Sequence, residues 1–256
     1  MKIAILGAGA FGTALGGILA DNGYEIAYYD TRLDVRLNDV LAGADKVLIA
    51  VPSKSVPYVL PHLSKNLPLI VATKGILSEE AFAEFKNYAI ISGPGYADDM
   101  KAHKKITLTV TDKDVAKLFK ADYIDFDFTD DKRGVLMCGA LKNVYAIGAG
   151  YLGLERETKT WRNFIEAVSE EIRAILALNG ANPETMDLAC GILDLQLTCG
   201  LPSRNYEYGQ KLKKDKKAEP DKTVEGLTVL NKINQGVIKI PENTEYLTQI
   251  KELLCN

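Results

Sequence analysis

The chain has 256 residues, of which 47% are hydrophobic and 25% charged, and its net charge is −3. These values are ordinary for a globular protein, and the sequence has no long basic run to neutralise phosphates, so nucleic acid is excluded as a partner. Four widely spaced cysteines without a C-x-x-C pair favour reduced thiols and a cytoplasmic location. No apolar run is long enough to predict a transmembrane segment, and no metal site is predicted.

The first half of the chain alternates short apolar runs with helical patterns. The runs predict strands at Lys2–Leu6, Glu25–Tyr29, Lys46–Val51, Leu69–Ala72, Ala89–Ile91, Ile106–Val110 and Tyr123–Phe126. Several of them are apolar throughout, which is typical of parallel strands covered on both faces. We therefore predict an α/β domain over residues 1–130, built on a doubly wound parallel sheet of the Rossmann type.

The pattern changes near Asp130, beyond which the spacing of apolar residues predicts only helices. They cover residues 134–152, 158–179, 183–199, 203–213, 221–234 and 243–254. We predict an all-α C-terminal domain over residues 131–256 and expect the functional site in the cleft between the two domains. Assembly into a homodimer is left open, because no apolar stripe is distinctive enough to decide it.

A glycine-rich loop, with the sequence G-A-G-A-F-G over residues 7–12, joins the first strand to a helix. Gly7 permits a tight turn, Gly9 lets a pyrophosphate approach the backbone, and Gly12 packs the helix against the strand. The free N–H groups at the start of the helix attract the diphosphate. We therefore assign Gly7, Gly9, Ala10, Phe11 and Gly12 to the binding of a dinucleotide cofactor.

Asp30 closes the second strand, 18 residues beyond Gly12. This offset is typical of a carboxylate that binds the adenosine ribose hydroxyls, so Asp30 favours NAD. Arg32 keeps NADP open, although a plain surface arginine is the simpler interpretation. The predicted cofactor is therefore NAD or NADP, with some preference for NAD.

Three more turns follow predicted strands: V-P-S at residues 51–53, T-K-G at 73–75 and S-G-P-G at 92–95. In an open parallel sheet, ligands bind outside the carboxyl ends of the strands. We therefore expect these turns on the nicotinamide side of the site and assign Pro52 and Lys74 to the cofactor. For Ser53 and Ser92, ordinary turn chemistry is an equally good explanation.

The helical half contributes further polar candidates. Lys142 lies in a helix of otherwise apolar or small residues, where it either snorkels to solvent or is held in a cleft, and the helix alone favours snorkelling. Asp194, on a later apolar helix, needs a cation, and Lys142 can supply it. Ser203, Arg204 and Asn205 combine a helix start with a guanidinium and an amide, which suits a phosphate monoester. The alternative is an N-cap serine followed by a surface arginine.

Taken in order, the motifs resemble the NAD(P)-dependent glycerol-3-phosphate dehydrogenases from about residue 3 to residue 230. The segments that carry the resemblance are G-A-G-A-F-G-T-A-L, V-P-S, T-K-G-I, S-G-P, C-G-A-L-K-N-V-Y-A-I, D-L-x-L-T-C and S-R-N. The resemblance implies reduction of dihydroxyacetone phosphate to sn-glycerol 3-phosphate with NAD(P)H. It implies that Lys142 is the catalytic lysine, which protonates the ketone oxygen, that Lys74 is a second active-site lysine, and that Asp194 is the acid grouped with them.

The resemblance also implies which residues bind the small phosphorylated substrate. Lys74 and Lys142 belong to this set, together with Asn143, Thr198, Ser203, Arg204 and Asn205. Arg204 and Asn205 are expected to bind the phosphate.

The sequence departs from the family pattern at several points. The chain is shorter between Asp30 and Asp45, Lys54 replaces a histidine, and Leu136 replaces an acid. Two alternative functions therefore stay open. One is a dehydrogenase for another small phosphorylated or acidic ketone, and the other is a non-catalytic dinucleotide-binding regulatory protein. The intact set of lysines and acid argues against the second alternative.

Overall fold

The computed structural model describes residues 1–255 and divides the chain into two compact units. The first unit comprises Met1–Lys74 and Glu79–Lys132 and contains all the strands. The second comprises Gly75–Ser78 and Arg133–Asn256 and contains the long helices. The functional division into domains 1–130 and 131–256 stays a prediction.

The first unit is built on one seven-stranded sheet with the order β2-β1-β3-β4-β5-β6-β7. The strands are β1 Lys2–Leu6, β2 Glu25–Tyr29, β3 Lys46–Ile49, β4 Leu69–Val71, β5 Tyr88–Ser92, β6 Ile106–Val110 and β7 Ile124–Phe128. The strands from β1 to β5 pair with one another in parallel. The doubly wound sheet is thereby confirmed, and the apolar strands β1, β3 and β4 lie in its buried centre.

The prediction of an entirely parallel sheet is wrong at one pair, because β6 runs antiparallel to β5. The connection between them contains only the five-residue helix Ala97–Lys101. The length of this connection does not explain the pairing, because the similarly short connection with helix Lys113–Leu118 joins β6 to β7 in parallel. The antiparallel pair is thus a departure from the predicted sheet that the spacing of the elements does not explain.

Helices of very different lengths complete both units. They are α1 Ala10–Asp21, α2 Leu37–Leu41, α3 Val56–Val59, α4 Ala97–Lys101, α5 Lys113–Leu118, α6 Lys132–Leu152, α7 Lys159–Leu178, α8 Asp194–Thr198, α9 Arg204–Lys214, α10 Glu225–Asn234 and α11 Glu245–Cys255. Short 3₁₀ turns lie at Ser53–Ser55, Leu60–His62, Glu79–Phe82 and Pro183–Asp187. Helix α1 packs on the sheet through Leu15 and Leu19, which share one core with Ile3 and Ile5.

The single helix predicted over residues 183–199 is wrong. The structure has a 3₁₀ turn, then a π-helical segment at Ala189–Leu193, then α8. Gly191 lies so close to the preceding turn that a Cβ atom there would stand 2.3 Å from the carbonyl oxygen of Met186. A glycine is therefore required at this position, and π segments of this kind occur often at functional sites.

Helix α6 is the core of the second unit, and its residues from Gly134 to Gly150 are all buried. Among the described residues it is the one helix long and apolar enough to cross a membrane, but 89% of that stretch is buried inside the structure. Its glycines permit close packing, since a Cβ atom at Gly150 would stand 2.0 Å from the carbonyl oxygen of Tyr206 in α9. The apolar character of α6 is therefore explained by its place in the core.

A buried carboxylate, Glu171 of α7, connects α6 to the start of α11. It accepts hydrogen bonds from the Tyr145 hydroxyl at 2.9 Å and from the backbone N–H groups of Tyr246 and Leu247 at 2.7 and 3.1 Å. Two of the N–H groups that a helix start leaves unpaired are thus satisfied by a side chain from another helix. These contacts give Glu171 a structural role.

Candidate active site

The glycine loop has the geometry that a bound diphosphate requires. Gly7 adopts a φ of +108°, in the left-handed region that favours glycine. A Cβ atom at Gly12 would stand 2.1 Å from the Gly7 carbonyl oxygen, so α1 begins directly against the turn. At Gly9, by contrast, the space around a Cβ position is open for at least 4 Å. The loop therefore leaves room for a ligand at Gly9 alone among these three glycines.

The start of α1 faces this open space. Gly9 is the N-cap residue, and no side chain caps the helix there. The first N–H groups of α1 and the positive end of its dipole are therefore suited to bind a diphosphate. The loop residues Ala10 and Phe11 form the first turn of this helix, and the site as built fits a dinucleotide cofactor.

Asp30 follows β2 and lies next to the same loop. Its carboxylate accepts a hydrogen bond from the Ala8 N–H at 3.0 Å and forms a two-point ion pair with Arg32, at 2.7 and 2.8 Å. The Arg32 side chain also donates to the Ala8 carbonyl oxygen at 3.2 Å. Hydrogen bonding to Arg32 lowers the pKa of Asp30 to about 2. Arg32 is thus an exposed arginine, but it is held by the acid predicted to bind the ribose.

The three turns predicted to line the nicotinamide side are joined by hydrogen bonds. The Thr73 hydroxyl donates to the Val51 carbonyl oxygen at 2.9 Å, and Lys74 Nζ lies 3.5 Å from the Gly93 carbonyl oxygen. The Lys74 ammonium also lies 5.0 Å from the centre of the Phe11 ring. The structure therefore brings together the T-K-G, V-P-S and S-G-P turns and the glycine loop. Pro52 is exposed at the start of its 3₁₀ turn.

In the second unit, Lys142 of α6 and Asp194 of α8 form a buried ion pair between Nζ and Oδ1. Their side chains are only 3% and 1% exposed. The snorkelling interpretation of Lys142 is therefore wrong, because the charged end of its side chain is almost completely buried and paired with a carboxylate. The predicted pairing with Asp194 is present, and it places a cation beside a carboxylate in a largely apolar core.

The S-R-N segment begins α9. Ser203 is the N-cap residue and accepts a hydrogen bond from the Tyr206 N–H, and Arg204 is exposed. The Asn205 side chain is buried, donates to the Asn143 side chain at 2.8 Å and accepts from the Gly226 N–H at 2.9 Å. Asn205 therefore holds Asn143 and the start of α10, a task that the sequence did not indicate.

Thr198 lies at the end of α8, where its hydroxyl donates to the Asp194 carbonyl oxygen at 2.6 Å. The following backbone is held by two residues that sequence reasoning missed. The Arg156 guanidinium donates to the Leu197 carbonyl oxygen, and the Trp161 ring N–H donates to the Cys199 carbonyl oxygen at 2.8 Å. The one signal in the sequence is that Trp161 is the only tryptophan of the chain.

Comparison with known proteins shows the family to which this chain belongs. Residues 131–254 match the family model for the C-terminus of NAD-dependent glycerol-3-phosphate dehydrogenase. The NAD(P)-dependent glycerol-3-phosphate dehydrogenase of Lactobacillus helveticus is 31% identical over 329 aligned positions, which cover 99% of this chain and 96% of the relative. The chain belongs to the NAD(P)-dependent glycerol-3-phosphate dehydrogenase family.

Other members of the glycerol-3-phosphate dehydrogenase family also match this chain over most of its length. The relative from Oceanobacillus iheyensis is 31% identical over 85% of this chain and 78% of its own length. The crystal structure of glycerol-3-phosphate dehydrogenase from Coxiella burnetii has a TM-score of 0.82 and 25% identity, over 99% of this chain and 94% of that one. The 329 positions aligned with the Lactobacillus helveticus protein exceed the 256 residues of this chain, so that relative carries segments that this chain lacks.

Proposed function

We propose that this protein reduces dihydroxyacetone phosphate to sn-glycerol 3-phosphate with NAD(P)H, in a reversible reaction. The observation that carries the proposal is the buried Lys142–Asp194 pair. The desolvation of a cation and a carboxylate can cost more free energy than their attraction returns, so a role in stability alone does not explain the pair. In a member of this family, the purpose of the pair is to present an ammonium group to the substrate carbonyl.

The cofactor, when bound, supplies the hydride that reaches the carbonyl carbon. Lys142 gives its proton to the ketone oxygen as negative charge develops there, and in the reverse direction it takes the proton back. Asp194 stabilises the positive charge on Lys142 and fixes the position of its Nζ atom. Lys74, held near Phe11 and Gly93, places a second cation at the carboxyl ends of the strands.

The phosphate of the substrate is bound at the start of α9. The exposed Arg204 guanidinium and the N–H groups of the first helical turn provide the donors, with Ser203 as the cap. Asn205 already bonds Asn143 and Gly226 through its side chain. We therefore assign Asn205 to the support of Asn143 and Arg204 to the phosphate itself, while Thr198 and Asn143 lie on the substrate side.

The direct test is oxidation of NADH and NADPH in the presence of dihydroxyacetone phosphate, with unphosphorylated dihydroxyacetone as the comparison. Arg204→Ala should raise KM for dihydroxyacetone phosphate by roughly 10- to 100-fold, because a hydrogen-bonded charge pair to the phosphate is lost. Arg162→Ala, which removes another exposed arginine of the second unit, should leave KM unchanged. No turnover of dihydroxyacetone phosphate at millimolar concentration would overturn the proposed function. Equal losses on both substrates would remove the phosphate role of Arg204.

The preference for NAD over NADP is the finer part of the proposal, and it rests on the Asp30–Arg32 pair. Asp30→Asn removes the partner of the Arg32 guanidinium and the negative charge that repels a 2′-phosphate. We expect the ratio of KM for NADPH to KM for NADH to fall by about tenfold or more in this variant. Arg32→Ala should shift the ratio in the opposite direction. An unchanged ratio in both variants contradicts the assignment.

The pH dependence of this preference follows from the lowered pKa of Asp30, about 2. The carboxylate stays ionised at every pH at which the enzyme is assayed. The stabilisation by the pair is fully present above the unfolded pKa, close to 3.8, and is lost only as the pH falls toward 2. Asp30 should therefore add no pH dependence to the ratio of KM for NADPH to KM for NADH between about pH 5 and pH 9, and a change near pH 6 would report the second ionisation of the NADPH 2′-phosphate.

The location and the assembly of the protein stay predictions. Cys138, Cys190 and Cys199 are buried in the thiol form, which supports the reduced thiols of a cytoplasmic protein. The homodimer remains an open expectation, to be tested by light scattering.

A further inference from the structure

The residue on which this inference rests is Lys232, in the last turn of α10. Its Nζ atom donates to the Gly75 carbonyl oxygen at 3.3 Å, within the second unit. Burial lowers the pKa of Lys232 from its ordinary value, and the Glu225 carboxylate partly opposes this effect. A half-buried lysine pays a cost in desolvation that an exposed lysine avoids. The hydrogen bond from the Lys232 ammonium to Gly75 offsets part of this cost.

Lys232 contacts the segment Gly75–Ser78, which interrupts the first unit in the sequence. Gly75–Ser78 belongs to the second unit, although the chain on both sides of it belongs to the first. Ile76 and Leu77 are 6% and 2% exposed, so the segment is anchored by burial as well as by Lys232. Gly75 itself adopts a φ of +87°, in the left-handed region that favours glycine.

Lys74 is the residue that precedes this anchored segment. On its other side, the Thr73 hydroxyl donates to the Ile49 and Val51 carbonyl oxygens at 3.2 and 2.9 Å, within the first unit. The backbone of Lys74 is thus held on one side by Thr73 and on the other by Gly75. Each anchor restricts the directions in which the Lys74 side chain can leave the turn.

We propose that Lys232 is a positioning residue that fixes the Lys74 turn by holding the Gly75 carbonyl oxygen. It acts through the backbone and not by contact with the reacting atoms. The kinetic part of the inference rests on the proposed function, since Lys74 is assigned there as the second active-site cation. The structural part concerns the turn alone and does not depend on any activity.

The structural part is tested by hydrogen exchange of the backbone amides in residues 73–78. Lys232→Met keeps most of the apolar stem and removes the donor, so it should raise exchange rates at Ile76 and Leu77 by about tenfold or more. Lys214→Met, which removes an exposed lysine from α9, is the matched control and should leave these rates unchanged. Unchanged rates in Lys232→Met overturn the proposal, whether or not the protein reduces dihydroxyacetone phosphate.

The kinetic part is tested by a double-mutant cycle with Lys74→Met. Lys232→Met alone should lower kcat for dihydroxyacetone phosphate by about tenfold or more, since small displacements of an active-site group are costly. In the Lys74→Met background the same change should have no further effect. Lys232→Arg, which keeps a donor, should restore most of the activity. Additive losses would show that Lys232 acts independently of Lys74, and would overturn the proposal. A wild-type enzyme without turnover would instead count against the proposed function, while the exchange rates still decide the role of Lys232.

Discussion

Lys142→Met should lower kcat for the reduction of dihydroxyacetone phosphate by about 10²- to 10⁴-fold, the range that general acid catalysis contributes. Methionine has nearly the length of lysine, but it leaves the Asp194 carboxylate buried without its cation. The double variant Lys142→Met/Asp194→Leu, which removes both charges, is therefore the comparison that separates the loss of the proton and charge from a loss of stability. KM should change much less, because the proposed phosphate ligand is Arg204 and not Lys142. Steady-state kinetics with NADH measure both parameters.

The matched control is Lys239→Met, since Lys239 is an exposed lysine of the same unit that lies outside the proposed site. Its kcat should equal that of the wild type. Cofactor binding by Lys142→Met, followed by the fluorescence of NADH, should also be unchanged, because the glycine loop lies in the other unit. If Lys142→Met keeps full kcat, the assigned mechanism is wrong even where the reaction itself is confirmed.

The glycine loop is an example of a feature that the sequence predicts correctly. Gly7, Gly9 and Gly12 were assigned from spacing alone, and their geometry agrees, because a tight turn and a close approach are local properties of the chain. The strands and most helices could be predicted for the same reason, since the spacing of apolar residues is a property of each segment by itself. The π-helical segment before Asp194 could not, because it depends on how Gly191 packs against Met186.

The side chains of the helical unit show where prediction from sequence ends. Within α6 alone, Lys142 is better explained by snorkelling, and only the fold shows that it is buried against Asp194. Asn205 was assigned to a phosphate, but its side chain bonds Asn143 and Gly226. No motif in the sequence marks Lys232 as a residue of interest. Each of these contacts joins residues far apart in the chain, and no local pattern specifies the partner.

Asp194→Leu should lower the free energy of unfolding by about 3–5 kcal/mol, because it leaves the Lys142 ammonium buried without its partner. The double variant Lys142→Met/Asp194→Leu removes both charges and replaces them with apolar groups. We expect it to recover most of the stability and to be nearly as stable as the wild type. It should nevertheless stay as inactive as Lys142→Met, since stability and catalysis depend on different properties of the pair.

Trp161 provides the measurement, because it is the only tryptophan of the chain and lies buried in α7 of the second unit. Its ring N–H bonds the Cys199 carbonyl oxygen, one residue beyond α8, so its fluorescence follows unfolding of the region that holds the pair. Urea titrations of the wild type, the single variants and the double variant give the four free energies of the cycle. A double variant clearly less stable than the wild type would show that the pair stabilises the fold in its own right. A double variant that regains stability but not activity would show that the buried charges are kept for the reaction, at a cost to the core.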